Sequence, residues 1–349
     1  MTDLALAGSA ACTGILMEER HLALRRAGGR QAASALRAAA LAAPAAAQER
    51  IRLGYTRTAT DIAMYVADKR GYFKAEGLDV NFNHVASASA MIAPMAAGDL
   101  EVVAGSASAG LFNATTRGLD VRLVASKVTT PKGFTSQTLI VRKQEFDQGR
   151  ITKVADLRGK RIANGSPGTG ALGTLNRMLK TGGMTLKDVE LVNLAFPQML
   201  PALINGAVVA ALPAEPYTMQ AVREGAAVGL IRDDEVYPGH EIASFLFSGK
   251  FVRERRAAAV GFLKAVLRGA RDHNDALDEK GFLRGPGSDA IIAILNEYTG
   301  VGMNDPNFFR SYALAYCDPD GAISFDSLKE DLALFRELGL IEGEGAAVE

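Results

Sequence analysis

VVAGSASAG at residues 102–110 and RIANGSPGTG at residues 161–170 each run from a short apolar strand, through a turn of small residues, into the start of a helix. At such a turn the first N–H groups of the helix have no backbone partner, and the helix dipole adds partial positive charge. The small side chains let a ligand approach these groups closely. Each stretch therefore predicts a cradle for an anionic or polar group. One cradle in each half of the chain predicts a ligand held in a cleft between two lobes.

The segments around these two stretches alternate between strand and helix patterns. In the first half the predicted strands are 51–55, 78–85, 101–105 and 121–127, and the predicted helices are 61–70, 89–97 and 111–117. In the second half the predicted strands are 139–142, 161–164, 190–195, 208–212 and 229–232, and the predicted helices are 170–180, 198–205 and 217–224. This order predicts an α/β protein whose ligand binds at the carboxyl ends of parallel strands.

A further strand at 244–251 is followed only by helical patterns, of which the longest covers residues 253–277. We therefore expect the chain to cross back and cover the first lobe. The two crossings, near 136–139 and 241–244, predict a hinge. The predicted domains are an export signal at 1–47, a first lobe at 48–136 and 244–349, and a second lobe at 137–243.

Composition limits the partners of this 349-residue chain. Lys+Arg and Asp+Glu balance at 39 each, so no basic field favours nucleic acid, and a small ligand is expected instead. After residue 50 no stretch is apolar enough to span a membrane. With only Cys12 and Cys317, and four scattered histidines, the sequence predicts no internal disulfide in the mature chain, no metal site and no cofactor.

The first fifty residues have the order of an export signal. The basic run RRAGGR at 25–30 precedes an alanine-rich stretch at 32–47, which ends in three alanines before Gln48. This order predicts cleavage after Ala47 and a periplasmic protein. The alternative is an alanine-rich helix packed on the domain. A start at Met17 and export by either the general or the twin-arginine route also stay open.

Four segments resemble one known family: the solute-binding proteins of ABC importers for sulfonates, taurine, nitrate and thiamine-precursor pyrimidines. They occur in family order and are ADKRGYFKAEGLDV at 67–80, VADLRGKRIA at 154–163, LINGAVVAA at 203–211 and EPY at 215–217. The resemblance covers the chain from about residue 50 to residue 280. It implies the two-lobed type 2 periplasmic binding protein fold, or Venus flytrap, in which each lobe is a mostly parallel sheet flanked by helices. It also implies a permease partner, and we expect a monomer.

Polar residues at the predicted strand ends and turns are the candidate ligand contacts. Arg57 could pair bidentately with a carboxylate or sulfonate, and Lys127 ends a strand in an equivalent place, although either could be a surface charge. Glu215 could accept a hydrogen bond from a ligand N–H group or from the other lobe, or it could satisfy the start of the next helix. The full predicted set is Thr56, Arg57, Ser106, Ser108, Lys127, Ser166, Gly168, Thr169, Gly170, Glu215 and Tyr217.

Four other activities fit the sequence less well. GTGALG at 168–173 matches the dinucleotide fingerprint, but the next strand ends without the acidic residue that would hold a ribose, and the turn lacks the lysine of a P-loop. Its glycines could also serve only close helix packing. Among relatives of the fold, a pyrimidine synthase needs a cysteine cluster that this chain lacks. A sulfinate desulfinase uses one cysteine, whereas Cys317 is expected to be a buried thiol.

The sequence therefore predicts a non-catalytic binder. Because the chain has no Trp and few aromatic residues near the expected cleft, an aromatic cage for a quaternary amine is disfavoured. We expect the periplasmic component of an ABC importer that captures a small organic anion, a sulfonate or carboxylate of aliphatic or aromatic type. An aminopyrimidine thiamine precursor and nitrate are alternative ligands, and a desulfinase-like enzyme is the alternative activity.

Overall fold

Two five-stranded sheets organise the part of the chain that the structure describes, which is residues 48–305, 307–343 and 348 of a computed structural model. In chain order the strands are β1 (Glu49–Tyr55), β2 (Leu78–His84), β3 (Val102–Gly105), β4 (Val121–Thr129), β5 (Thr138–Arg142), β6 (Arg161–Asn164), β7 (Glu190–Asn193), β8 (Ala210–Ala211), β9 (Ala227–Arg232) and β10 (Glu241–Ser248).

The two sheets share one topology. The first has the order β2-β1-β3-β10-β4 and the second the order β7-β6-β8-β5-β9. In each sheet the first three strands pair in parallel, and the fourth runs antiparallel to both of its neighbours. Since β10 joins the first sheet after the second is complete, the chain crosses between the sheets twice. The expectation of two lobes, each with a mostly parallel sheet, is confirmed.

Helices flank both sheets. Those of the described residues are α1 (Ile62–Lys69), α2 (Tyr72–Ala75), α3 (Ile92–Ala97), α4 (Ala109–Thr116), α5 (Lys143–Asp147), α6 (Gly170–Thr181), α7 (Phe196–Ile204), α8 (Tyr217–Arg223), α9 (Asp233–Val236), α10 (Gly249–Glu254), α11 (Arg256–Asp275), α12 (Ser288–Thr299) and α13 (Phe325–Glu337). Among these described helices, none is both long and apolar enough to cross a membrane. The expected export signal lies outside the described residues.

The first lobe is held together by a core in which α11 packs on α1. Aromatic side chains fill this core, with Phe245 of β10 edge-on to Phe262 of α11. A Cβ at Gly269 would lie only 2.1 Å from the carbonyl oxygen of Ala63, so the close crossing of the two helices requires a glycine there. The return strand and the long helix together therefore bind the later part of the chain to the first lobe.

Most element boundaries differ from the sequence prediction by one to three residues, and the largest differences lie around the second crossing. The return strand is shifted, because Ser248 caps α10 by accepting a hydrogen bond from the Phe251 backbone N–H at 3.2 Å, so the strand ends there rather than at residue 251. The long helix predicted at 253–277 is two helices, α10 and α11. Near the end of the described chain, α13 packs on α6 beside the second sheet as well as on β10.

Candidate functional site

A cavity of about 70 Å³ lies between the two sheets. A water molecule needs roughly 10–15 Å³ of such space, so the cavity has room for a compact molecule rather than a single ion. Its walls follow the carboxyl ends of the parallel strands and the two crossings between the lobes. The lining residues are Thr56, Thr58, Thr60, Ala86, Ser87, Ala88, Gly105, Ser106, Lys127, Ser136, Gln137, Gly165, Ser166, Thr169, Ala171, Ala195, Phe196, Ala214, Ile242 and Ala243.

The start of α6 forms one wall of this cavity. Thr169 occupies the N-cap position in an extended conformation, but its side chain accepts no hydrogen bond from the first turn; its hydroxyl instead donates to the Ser166 carbonyl oxygen at 3.2 Å. The neighbouring Ala171 and Gly165 also line the cavity. The first turn of this 12-residue helix therefore brings uncapped N–H groups, with the positive end of its dipole, to the cavity wall.

The start of α4, the other predicted cradle, is already occupied by protein groups. The Ser108 hydroxyl accepts a hydrogen bond from the Leu111 N–H at 3.2 Å and is fully buried. The Ala109 N–H donates to the Gly168 carbonyl oxygen at 2.7 Å. The two cradles thus contact each other across the lobes, and only the start of α6 is open to a ligand.

Lys127 reaches the cavity wall as half of a buried ion pair. Its Nζ lies 2.5 Å from Oδ1 of Asp61 and 3.2 Å from the Thr60 hydroxyl oxygen, and both charged side chains are almost fully buried. The other carboxylate oxygen of Asp61 accepts from the Thr58 N–H at 2.9 Å. Because the two charges cancel, the pair gives the cavity polar groups without a net charge.

The buried carboxylate of Asp233 holds the first crossing between the lobes, at Ser136 and Gln137, by hydrogen bonds. Oδ2 of Asp233 accepts hydrogen bonds from the backbone N–H groups of Ser136 and Gln137, at 3.1 and 2.9 Å, and from the Ser136 hydroxyl at 2.7 Å. Burial raises the pKa of Asp233, and these donors oppose that rise. The turn holds Ser136 and Gln137 against the cavity in a fixed backbone geometry.

Five of the predicted site residues line the cavity, and six do not. Those in its wall are Thr56, Ser106, Lys127, Ser166 and Thr169. Like Lys127 and Thr169, the two serines also make contacts within the protein. The Ser106 hydroxyl donates to the Ile242 carbonyl oxygen at 2.5 Å, and the Ser166 hydroxyl oxygen lies 3.2 Å from that of Ser89 in the first lobe.

Arg57 and Tyr217 lie near the cavity but not in its wall. Arg57 is exposed and has a φ of +58°, in the left-handed region. Burial raises the pKa of Tyr217 and the charge of Arg57 opposes this rise, while burial and the same charge together lower the pKa of His84. Tyr217 stacks on Phe196, which does line the cavity, with ring centres 6.2 Å apart. Arg57 lies between the wall residues Thr56 and Thr58 in the chain, and Tyr217 contacts the wall residue Phe196, so both are close to the cavity.

Glu215, Gly168 and Gly170 are not among the residues that line the cavity, although Gly170 lies between two that do, Thr169 and Ala171. The Glu215 carboxylate accepts the Met219 N–H of α8 at 3.1 Å, and burial raises its pKa to about 8. It thus satisfies a helix start, the alternative that the sequence left open. A Cβ at Gly170 would contact the His240 ring at the ordinary distance of 3.4 Å. A Cβ at Gly168 would clash with the Cβ of Ala109 at 2.6 Å. Ser108, Glu215 and Gly168 therefore make contacts within the protein, and Gly168 takes part in the contact between the lobes.

Sequence reasoning missed several residues of the cavity wall. Thr58 and Thr60 belong to a threonine-rich turn after β1, and Ser87 follows β2, so polar residues after strands were an available signal. Gln137 and Phe196 carry no such pattern. Their positions depend on contacts with Asp233 and Tyr217, which are distant in sequence.

Cys317 is not placed for catalysis. The thiol is buried in the first core and does not line the cavity, and burial raises its pKa to about 12. A cysteine nucleophile requires a thiolate in an accessible, electropositive setting. Among the described residues, no cluster of histidine, cysteine and acidic side chains could hold a metal ion.

Comparison with solved structures defines the class of fold. The alkanesulfonate-binding protein SsuA from Xanthomonas axonopodis pv. citri, bound to MOPS, superposes with a TM-score of 0.65 and 18% identity over 84% of this chain and 94% of its own. The periplasmic nitrate-binding protein NrtA from Synechocystis PCC 6803 gives a TM-score of 0.68 and 16% identity, over 85% and 83%. The desulfurization enzyme DSZB shares the fold too, with a TM-score of 0.58 and 17% identity over 86% and 95%. The chain thus has the fold of periplasmic binding proteins, a fold that also carries an enzyme.

The family follows from the sequence comparison. The NMT1/THI5-like family model matches residues 59–276, which is more than half of the chain, and the chain belongs to this family. A curated relative, a putative thiamine biosynthesis protein from Haemophilus influenzae, is 29% identical over 152 residues, or 44% of this chain. The chain spans 45% of the length of that relative.

Proposed function

We propose that this chain is the solute-binding component of an ABC importer and that it captures a small organic anion, a sulfonate or a carboxylate, between its two lobes. One observation carries the proposal: the uncapped start of α6 opens into a cavity enclosed by both lobes. Binding proteins among the structural neighbours support the importer role.

An anion suits this cavity for electrostatic reasons. Helix N-termini bind anions through free N–H groups and the dipole, without a neighbouring cation. The hydroxyls of Thr56 and Ser166 add donors, and the Lys127–Asp61 pair contributes no net repulsion. The apolar atoms of the remaining wall, including the Phe196 ring, suit the organic part of the ligand.

The proposed contacts are the five predicted residues of the wall together with Thr58, Thr60, Ser87, Gln137 and Phe196. Arg57 and Tyr217 are proposed to act near the entrance, where a cation would attract anions. A non-catalytic role agrees with the buried, high-pKa thiol of Cys317.

We further propose that residues 1–47 direct export, that the mature protein is a periplasmic monomer, and that it delivers its ligand to a membrane permease. The two crossings between the sheets support lobes at 48–136 with 244–349 and at 137–243. On this proposal, binding to both lobes closes the cleft, and the closed form is recognised by the permease.

The anion proposal is tested at Gly170, the first residue of α6. Gly170→Pro removes one N–H group, and proline is accepted at a first helical position after the extended Thr169. Gly170→Ala is the matched control, because it adds a Cβ at ordinary contact distances, 3.4–3.5 Å, and keeps the N–H group.

Calorimetric titration with sulfonates, carboxylates and nitrate should find an organic anion that the wild type binds. We expect Gly170→Pro to weaken that binding by about ten-fold or more, since a hydrogen bond to a charged group contributes about 1.5–3 kcal/mol. Gly170→Ala should bind nearly as the wild type does. Equal affinities of the two variants would show that the start of α6 does not hold the anion.

A further inference from the structure

A buried histidine–aspartate pair lies against the first turn of α6. His240, which precedes β10, and Asp331 of α13 are both almost fully buried, and Nε2 of the histidine lies 2.9 Å from Oδ2 of the aspartate. A Cβ at Gly170 would lie 3.4 Å from the His240 ring and 3.5 Å from Asp331 Oδ2. Gly170 begins α6, and its neighbours Thr169 and Ala171 line the cavity. The pair therefore contacts the helical turn that borders the cavity.

The glycine-rich stretch GTGALG at 168–173 makes room for this pair. A Cβ at Gly173 would clash with Oδ1 of Asp331, so the carboxylate packs directly on the backbone of α6. The start of α13 is also joined to the second crossing. The Ser327 hydroxyl oxygen accepts from the Glu241 N–H at 3.0 Å, and the Ser324 N–H donates to Glu241 Oε2 at 3.2 Å. The stretch that matches the dinucleotide fingerprint thus accommodates a buried carboxylate from α13.

The pair can hold one proton or two without rearrangement. An ionised Asp331 only accepts, so Nε2 of His240 carries a hydrogen and donates to it. Nδ1 of His240 lies 3.2 Å from the Thr174 hydroxyl oxygen, and a hydroxyl can donate to a neutral ring nitrogen or accept from a protonated one. With a neutral histidine the pair carries one negative charge, and with a protonated histidine it carries none. Histidine is the side chain that ordinarily changes charge near neutral pH.

The groups around His240 leave this charge change as a local event. The Tyr237 ring stacks on the imidazole with centres 4.0 Å apart, and its hydroxyl donates to Glu330 at 2.8 Å. Glu330 of α13 forms an ion pair with Arg177 of α6, so these two charges cancel. On β10, burial raises the pKa of Glu241 to about 7. Within this cluster the His240–Asp331 pair and Glu241 are therefore the groups that titrate near neutral pH.

We propose that capture of an anion at the start of α6 is coupled to uptake of a proton by the His240–Asp331 pair. This inference rests on the proposed function, because it takes the start of α6 as the place where the anion binds. The negative form of the pair repels an anion there and the neutral form does not, so the bound protein favours the protonated pair. By linkage, protonation strengthens anion binding by the same factor, and affinity falls as pH rises. Neither residue lines the cavity, so both are positioning residues that act through α6.

Calorimetric titration measures the proton uptake of the wild-type protein. Ethanesulfonate, benzoate and nitrate, whose own charges stay constant near neutral pH, are titrated at matched pH values in Bis-Tris, imidazole and Tris. These amine buffers differ in their enthalpy of ionisation, whereas sulfonate and phosphate buffers would compete for the site. The dependence of the heat on the buffer gives the number of protons taken up per anion. We expect about half a proton at the pH of largest uptake, and an affinity about ten-fold lower at about pH 8.5 than at about pH 6, which corresponds to a coupling of one pKa unit.

Two variants assign the uptake to the pair. His240→Gln keeps a donor toward Asp331 but cannot take up a proton, so it should bind the anion without uptake and about ten-fold more weakly than the wild type at about pH 6. Asp331→Asn removes the negative charge and keeps an oxygen that accepts from His240. It should bind more tightly than the wild type at about pH 8.5, whereas a merely structural role of Asp331 predicts weaker binding.

The matched control is His273→Gln on α11. Burial lowers the pKa of His273 to about 4, so this buried histidine stays neutral near pH 7, and the variant should keep the wild-type uptake. The same result is expected when the other groups that could titrate in this range are replaced by glutamine, namely His84, Glu215 and Glu241. Circular dichroism establishes that each variant is folded.

Each outcome has a distinct meaning. A wild-type protein that binds an anion with no proton uptake at any pH between about 5.5 and 8.5 overturns the inference and leaves the proposed function intact. Uptake that survives in His240→Gln, or is lost in one of the control variants instead, overturns the role of the pair. If the folded wild type binds none of the three anions, the proposed function fails and the inference fails with it. Should His240→Gln not fold, Asp331→Asn and the wild-type titrations still decide the question.

Discussion

Gly168→Ala should weaken ligand binding by interfering with the contact between the two lobes. Gly168 has a φ of +60°, and a Cβ built there would lie 2.6 Å from the Cβ of Ala109. Carbon atoms in contact prefer about 3.5–4.0 Å, so the lobes must move apart locally by about 1 Å. This movement would stretch the 2.7 Å hydrogen bond from the Ala109 N–H to the Gly168 carbonyl oxygen beyond bonding range.

The free energy lost in Gly168→Ala has two separable parts. A left-handed alanine costs about 1–2 kcal/mol, which appears in the free energy of unfolding whether the lobes are together or apart. The lost hydrogen bond costs about 0.5–1.5 kcal/mol, and the unsatisfied N–H group adds to it. We therefore expect contact between the lobes to lose about 1–2 kcal/mol, which corresponds to a 5- to 30-fold weaker affinity.

Gly183→Ala is the matched control. Gly183 has a φ of +68°, yet a Cβ there meets nothing within 4 Å, so this variant carries the backbone strain without the clash. Urea unfolding should show similar losses for both variants, whereas calorimetry with the tightest-binding acid should show weaker binding only for Gly168→Ala. Adding Ala109→Gly to Gly168→Ala removes the clashing Cβ and should restore affinity. If Gly168→Ala and Gly183→Ala bind equally well, the contact does not contribute to binding.

Three further experiments test the buried ionisable groups Lys127, Glu215 and Cys317. Lys127→Met leaves the buried Asp61 carboxylate without its cation, so urea unfolding should show a loss of about 3–5 kcal/mol, and adding Asp61→Asn should recover part of it. Burial raises the pKa of Glu215 to about 8, so between about pH 5 and 8 the folded chain keeps a proton that the unfolded chain loses. Its contribution to stability therefore falls as pH rises through that window, by up to about 1.4 kcal/mol per unit, and Glu215→Gln should flatten the profile; an unchanged profile would contradict this. In a Cys12→Ser background, Ellman's reagent at pH 8 should label the buried Cys317 only in denaturant, and rapid labelling of the native protein would contradict its burial.

The fold was largely predictable because periodicity and turn residues are local signals. Strand β6 has the predicted bounds, and α1 and α6 lie within one residue of theirs at each end. The largest error occurs where a cap decides the boundary. Ser248 ends β10 and starts α10, and a serine before a glycine in an apolar stretch is a weak signal beside the longer pattern around it.

The site was less predictable because its chemistry depends on partners that lie far apart in the chain. Ser108 and Thr169 are similar in sequence, since each precedes a helix after a small-residue turn. Only the structure shows that the hydroxyl of Ser108 caps its helix and that of Thr169 does not. Lys127 meets a carboxylate 66 residues away, and Gln137 is held by one 96 residues away. Local sequence patterns therefore identified the turns of the site. They did not show which polar groups pair within the protein and which stay available to a ligand.

Four polar contacts that join the lobes are individually weak. The Ala109 N–H donates to Gly168, the Ala59 N–H donates to the Glu215 carbonyl oxygen at 2.8 Å, the Ser89 and Ser166 hydroxyls pair, and Arg223 of α8 forms a surface ion pair with Asp305. Each neutral hydrogen bond contributes about 0.5–1.5 kcal/mol and the surface pair about 0–1 kcal/mol. Reversing a 1:99 population requires about 5.5 kcal/mol of differential binding. A ligand that joins the start of α6 to hydroxyls of the first lobe bridges the two lobes only when they are together, so its binding favours the form in which these four contacts are made.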